Sequence, residues 1–143
     1  MEFTLTGYSD LSGGQSARLS KKITQEDVDR FIAITSDTNP LHVDEDYASR
    51  TFFKQRVVHG MLTASLFSTL VGMYLPGIGA IYRSQTIEFV KPVYIGDTVT
   101  AHMTITRIDP KHEIIELHGV IENQQGEIVV KGIATASLIR GLI

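Results

Sequence analysis

The sequence predicts an α+β fold in which a curved antiparallel sheet wraps around one central, buried helix. Three observations lead there. Residues 57–75, VVHGMLTASLFSTLVGMYL, form an apolar run in which Met61, Leu62, Leu66, Phe67, Leu70, Val71 and Met73 cover most of a helical circumference; a helix that is hydrophobic all round is buried on all sides. Within it Gly60, Ala64, Ser68 and Gly72 recur at every fourth position, a stripe of small side chains along which another backbone can come close. After Gly79 the apolar period changes to two, the mark of strands with one buried and one wet face.

Taken in order, residues 1–14 are weakly patterned and read as a loose arm, with a short strand at 3–5. Residues 15–23 form a strand candidate. Thr24-Gln-Glu-Asp27 resembles a capping box with aspartate in the usual place of glutamate. Val28, Phe31 and Ile32 follow at helical spacing, so a first helix runs to about Thr35. Pro40 disfavours helical geometry at Asn39, so residues 37–42 read as a loop. Residues 44–50 form one or two helical turns before the central helix, which stops near Leu75-Pro76-Gly77. Ile81, Ile87 and Phe89 share one strand face until Lys91-Pro92 interrupts it. Val99, Ala101, Met103 and Ile105 alternate with polar residues on the next strand, and Ile115, Leu117, Gly119 and Ile121 do so on the third. The last strand, residues 127–140, places Ile128, Val130, Gly132, Ala134, Ala136 and Leu138 on one face. Its small centre, Gly132 to Ala136, is expected to admit the central helix, whose small stripe offers the complementary surface.

The chain has 143 residues, which suits one domain spanning 1–143. Its hydrophobic content of 43% and charged content of 20% are ordinary for a globular protein. A net charge of −3 gives no electrostatic reason to expect nucleic acid. Without cysteine, disulfides, thiol catalysis and Cys-ligated zinc are excluded. Thr63, Ser65, Ser68, Thr69 and two glycines argue against a membrane span at the central helix. Residues 1–25 lack the regions of a signal peptide, so a cytoplasmic location is expected.

Chemistry concentrates in SDTNPLHVD at residues 36–44 and VVHGML at residues 57–62, followed by ASLFS at residues 64–68. These motifs resemble the R-specific enoyl-CoA hydratases, the MaoC-like branch of the hot-dog fold, and the similarity extends from about residue 15 to 138. The resemblance implies a hydratase that interconverts trans-2-enoyl-CoA and (R)-3-hydroxyacyl-CoA, with catalytic Asp37 and His42. It implies a backbone N–H of Gly60 on the thioester oxygen and Ser68 beside the same site. It implies an acyl-CoA substrate, no metal or redox cofactor and a homodimer, and it connects the activity with fatty acid metabolism and polyhydroxyalkanoate precursor supply.

The residues support that chemistry independently. Hydration of an unsaturated thioester needs a base for the water, an acid for the α-carbon and donors for the enolate oxygen. Histidine is the side chain best suited to exchange a proton near neutral pH, so His42 suits the base; Asp37 can hold the same water and pass a proton. The start of the central helix offers unpaired N–H groups and the positive end of its dipole, and Gly60 has no side chain to obstruct them. If the thioester oxygen sits there, the acyl tail is expected along the helix past Ser68, about 12 Å on, with Val71 at the wall or floor of its pocket.

Plainer readings stand beside these. Asp37 can be a turn residue, His42 a satisfied structural histidine, and Ser68 part of the packing stripe. Asn39 reads as loop-shaping, and His59 as structural, binding backbone near the helix start. A cation at Asp37, His42, Asp44, Glu45 and Asp46 would lack a paired histidine or the glycine of a calcium loop. His102, His112 and His118 are expected to be solvated. Rival functions are an acyl-thioester hydrolase or acyl-carrier-protein dehydratase on the same fold, and a non-catalytic acyl-CoA binding module.

Overall fold

A computed structural model describes residues 2–141. The arm at the N-terminus forms no strand at residues 3–5 but a short 3₁₀ turn, Tyr8–Asp10. The Thr6 N–H donates to the Ile78 carbonyl (2.9 Å) and its hydroxyl to the Pro76 carbonyl (2.8 Å), so the arm is tied to the loop after the central helix. Strand β1 (Ser16–Lys22) leads into α1 (Gln25–Thr35). The capping box is formed as expected: Asp27 N–H donates to Thr24 Oγ1 (3.2 Å) and Thr24 N–H to Asp27 Oδ2 (2.9 Å).

The strands β2 (Ala80–Gln85), β3 (Glu88–Phe89), β4 (Thr98–Asp109), β5 (Ile114–Glu122) and β6 (Ile128–Leu138) join β1 in one antiparallel sheet, ordered β1-β4-β5-β6-β2, with β3 also on β6. The faces expected from alternation are the buried ones on β4 and β5. On β6 the expectation fails at Ile128, which is exposed while Val129 is buried. A register irregularity between Ile121 and Glu122 shifts the start of that strand and turns its side chains over.

The central helix is built from α4 (Gly60–Ala64), α5 (Leu66–Thr69) and a π-helical turn, Leu70–Tyr74. Ser65 joins the first two with helical backbone and a hydroxyl bonded to the Leu62 carbonyl (2.6 Å). Leu66, Phe67, Leu70 and Val71 face the sheet and belong to the core. The helix is not buried on all sides: Met61, Ser65, Ser68, Gly72, Met73 and Tyr74 are exposed. One sheet covers only one side of a helix, and the described residues supply no second layer.

The small stripe does not meet Gly132. A Cβ at Gly72 would touch nothing within 4 Å, and one at Gly132 would lie 1.8 Å from the Thr86 carbonyl oxygen. Gly132 therefore makes room for the β2–β3 crossing, where Thr86 bonds Ile133 through both its N–H and its hydroxyl. The helix is admitted by Gly119 on β5, whose missing Cβ would lie 2.7 Å from Phe67 Cε1.

Candidate active site

The segment after α1 is ordered by local hydrogen bonds. Ser36 ends the helix in the left-handed region (φ 60°). Asp37 Oδ1 accepts from the Asn39 N–H (3.1 Å), and Asn39 Oδ1 accepts from the Leu41 N–H (3.0 Å). Asn39 is thus the cap of a short helix, α2 (Pro40–Val43), with Pro40 in the first turn. The expected loop is helical at its second half, because proline needs no N–H partner at that position. Asp44 caps the next helix, α3 (Glu45–Ser49), through the Tyr47 N–H (2.9 Å).

His42 leaves α2 toward the central helix. Its Nδ1 lies 2.6 Å from the Val57 carbonyl oxygen. A carbonyl can only accept, so Nδ1 carries the proton and Nε2 keeps its lone pair. The Arg56 guanidinium donates from Nε to the His42 carbonyl (2.8 Å) and the Val57 N–H to the Leu41 carbonyl (3.2 Å), which clips α2 to the strand-like approach of the central helix.

His59, immediately before Gly60, completes the group. It is 2% exposed, and its ring stacks on His42 with centroids 3.9 Å apart and planes at 30°. His59 Nε2 lies 3.1 Å from the Asp37 backbone carbonyl and 3.9 Å from Asp37 Oδ2. Burial pushes the His59 imidazole below its ordinary value. The bond to the Asp37 carbonyl works against that shift, a proton on His42 would add to it, and the Asp37 carboxylate opposes it.

Asp37, His42 and His59 hold one potential ligand atom each within 4.8 Å of one another. Each histidine donates one ring N–H to a backbone carbonyl and keeps one lone pair, so geometry decides whether an ion could be held. In stacked rings, an ion in the plane of one lies out of the plane of the other, and lone pairs at 2.0–2.1 Å from a metal must point at it. The arrangement suits proton transfer better than coordination.

These three residues and Gly60 line one cavity of about 490 Å³. Its other walls are mostly apolar or aromatic, among them Phe52, Phe53, Met61, Phe89, Val93 and Val130, with Thr63 and Lys91 as the polar exceptions. The N–H groups of Gly60 and Met61 find no protein acceptor among the described residues. A Cβ at Gly60 would lie 2.6 Å from Cε1 of Phe89. Asp37, His42 and Gly60 are therefore brought together. Ser68 is exposed and Val71 is buried in the core; neither is part of this cavity's lining. His112 and His118 are exposed and pair with Asp109 and Glu116, while His102 is half-buried on the outer sheet face. The sequence reading missed the aromatic wall, for which Phe52-Phe53 outside any periodic segment was the available signal. It also missed the contact of His59 with the Asp37 segment.

An antiparallel sheet curled over one central helix defines a hot-dog protein, and an aspartate and a histidine are gathered at the start of that helix. Residues 11–125 match the MaoC-like domain, and the chain belongs to that family. It is 44% identical over 128 residues to an (R)-specific enoyl-CoA hydratase of Rhodospirillum rubrum, covering 90% of this chain and 88% of the relative. The structure of an (R)-hydratase from Aeromonas caviae involved in PHA biosynthesis superposes with a TM-score of 0.87 at 44% identity, over 90% of this chain and 98% of that one. An R-hydratase from Pseudomonas aeruginosa gives 0.88 at 35% identity, over 96% and 88%. Among the described residues, no helix is long and apolar enough to cross a membrane.

Proposed function

We propose that the chain is an R-specific enoyl-CoA hydratase, a lyase that adds water across trans-2-enoyl-CoA to form (R)-3-hydroxyacyl-CoA and catalyses the reverse. The observation that carries this reading is the 2.6 Å contact of His42 Nδ1 with the Val57 carbonyl oxygen. The His42 Nδ1–H is spent on the Val57 carbonyl, so a basic Nε2 remains beside Asp37 at a cavity that also holds Gly60. As water bonds to the β-carbon, its proton passes to His42 Nε2 and the π electrons move to the thioester oxygen. The N–H groups at the start of the central helix stabilise that oxygen. Collapse of the enolate takes a proton at the α-carbon from the His42–Asp37 pair. The net change is addition of H and OH, and the pair is regenerated. This chemistry needs only acid–base groups and hydrogen-bond donors, so we assign it no metal or redox cofactor.

The apolar walls suit an acyl chain. We place the tail along the central helix toward Ser68 and Val71, beyond the cavity of a single chain; this rests on the family resemblance and the helix direction. We also propose a homodimer in the cytoplasm. The free edge of β2 and the uncovered helix face with Met61, Met73 and Tyr74 support self-association. The deciding experiment follows loss of the enoyl absorbance of crotonyl-CoA and determines the configuration of the product. Release of free CoA without hydration would favour a hydrolase, and an (S) product would reject the stereochemical assignment.

A further inference from the structure

We propose that His59 is a positioning residue that holds both members of the acid–base pair, the Asp37 backbone by a hydrogen bond and the His42 imidazole by stacking. Its kinetic consequence rests on the hydratase reading; its geometric content does not. Asp37 follows a left-handed residue, Ser36, and its carboxylate bonds the Asn39 N–H from one oxygen. The bond from His59 Nε2–H to the Asp37 carbonyl, made across 22 positions of sequence, anchors that peptide to the start of the central helix. His42 is held at its edge by the Val57 carbonyl and on its face by the His59 ring, which restricts both side-chain rotations of the base.

A group present only to fill space at this depth would be apolar. His59 instead leaves Nδ1 buried with no partner among the described residues, an arrangement that lowers stability. An aromatic ring that also donates an N–H is what the two contacts require, and the bare Nδ1 is the consequence. Phe31 flanks the ring at 4.9 Å, so the slot accepts an aromatic side chain on packing grounds alone. The neutral ring also lets His42 accept a proton without a second positive charge 3.9 Å away.

His59→Phe keeps a ring for His42 and Phe31 to pack against, and removes both the donor and the bare nitrogen. His59→Gln keeps a donor of similar reach and loses the ring. For His59→Phe we expect a melting temperature equal to or above the parent's. Its kcat on crotonyl-CoA should fall at least roughly tenfold, with KM changed by no more than about threefold. His59→Gln should lie between the two. Backbone amide relaxation of Asp37 and Thr38 supplies a readout free of activity: the order parameters should drop toward about 0.6 in His59→Phe and stay near about 0.85 in His59→Gln. A folded His59→Phe whose Asp37 segment remains as ordered as the parent's overturns the proposal, as does a kcat within about twofold of the parent. If His59→Phe does not fold, His59→Gln decides: a parent-like segment supports the proposal and a disordered one overturns it. If the parent hydrates no enoyl thioester, the hydratase reading falls and the relaxation measurement still decides the role of His59.

Discussion

Replacing Gly60 by alanine is expected to leave stability nearly unchanged and to lower kcat/KM by roughly ten- to a hundredfold. The new Cβ would lie 2.6 and 2.7 Å from Cε1 and Cδ1 of Phe89. Carbon atoms rest about 3.5–4.0 Å apart, so the ring must retreat by about 1 Å. Phe89 is 53% exposed and can swing into solvent with little loss of burial. Alanine in place of glycine offsets part of that through helix propensity, up to about 1 kcal/mol. The displaced ring and the methyl group then crowd the mouth of the cavity, where the thioester carbonyl is proposed to meet the helix N–H groups. Crotonyl-CoA hydration and a urea melt on the same sample measure both effects, and parent-like turnover in Gly60→Ala would refute the placement of the carbonyl. Gly119→Ala is the converse case. Its Cβ would lie 2.7 Å from Phe67 Cε1 and 3.2 Å from Met103 Cε. Both of those side chains are fully buried and have nowhere to go. That overpacking should cost about 1–3 kcal/mol, or roughly 2–4 °C of melting temperature per kcal/mol, while folded protein keeps its turnover.

Asp37→Ala and His42→Ala should each lower turnover about a hundredfold or more with the fold retained; near-normal kcat in either purified variant removes that residue from the mechanism. The unfolded chain protonates His59 at its ordinary value of 6.5 and the folded chain resists. Stability tied to this group is therefore full above about pH 6.5 and is lost as pH falls through the lower folded value, at up to about 1.4 kcal/mol per pH unit for one proton. Urea midpoints between pH 7 and 5 should fall in the parent and flatten in His59→Phe, and equal slopes would exclude His59 as the source. Val71→Phe enlarges a side chain already buried in the core and should cost about 1–3 kcal/mol of stability; if the acyl tail reaches this position, octenoyl-CoA activity should also fall more than roughly tenfold relative to crotonyl-CoA, and equal scaling of both substrates would assign Val71 to core packing alone. Light scattering should give a dimer, and a stable monomer of full activity would reject that assembly.

What could be read from the sequence divides by the range of the interactions involved. Strand faces on β4 and β5 were legible because side chains alternate with period two whatever lies beyond them. The Thr24–Asp27 cap was legible because its whole bond pattern closes within four residues. The depth of the central helix was not. Its apolar circumference does not say which of its faces this sheet covers, and Met61, Met73 and Tyr74 stand exposed beside Ser65 and Ser68. Gly119 and Gly132 look alike in sequence, each a glycine on the inner face of a strand. They differ in which element approaches, Phe67 from the helix or the Thr86 carbonyl from the sheet edge, and that is set by long-range register.

The site divides in the same way. Asp37 and His42 lie five residues apart on a segment bent by Pro40, so their convergence could be anticipated, although the segment reads as a loop and its second half is a short helix capped by Asn39. His59 could be read only as a histidine at a helix start, where a bond to nearby backbone was the natural expectation. The backbone it bonds is instead that of Asp37, and its face lies against His42. The contact exists because Val57 bonds back to Leu41 and His42, pulling the two halves of the site together before the central helix begins. The clip also sets the base. If the Val57 carbonyl turned away, Nδ1 would lose its acceptor and the tautomer with Nε2 bare would lose its preference. The peptide leading into the central helix therefore governs the protonation pattern of a side chain on another element, while the helix itself supplies the N–H groups that the reaction needs.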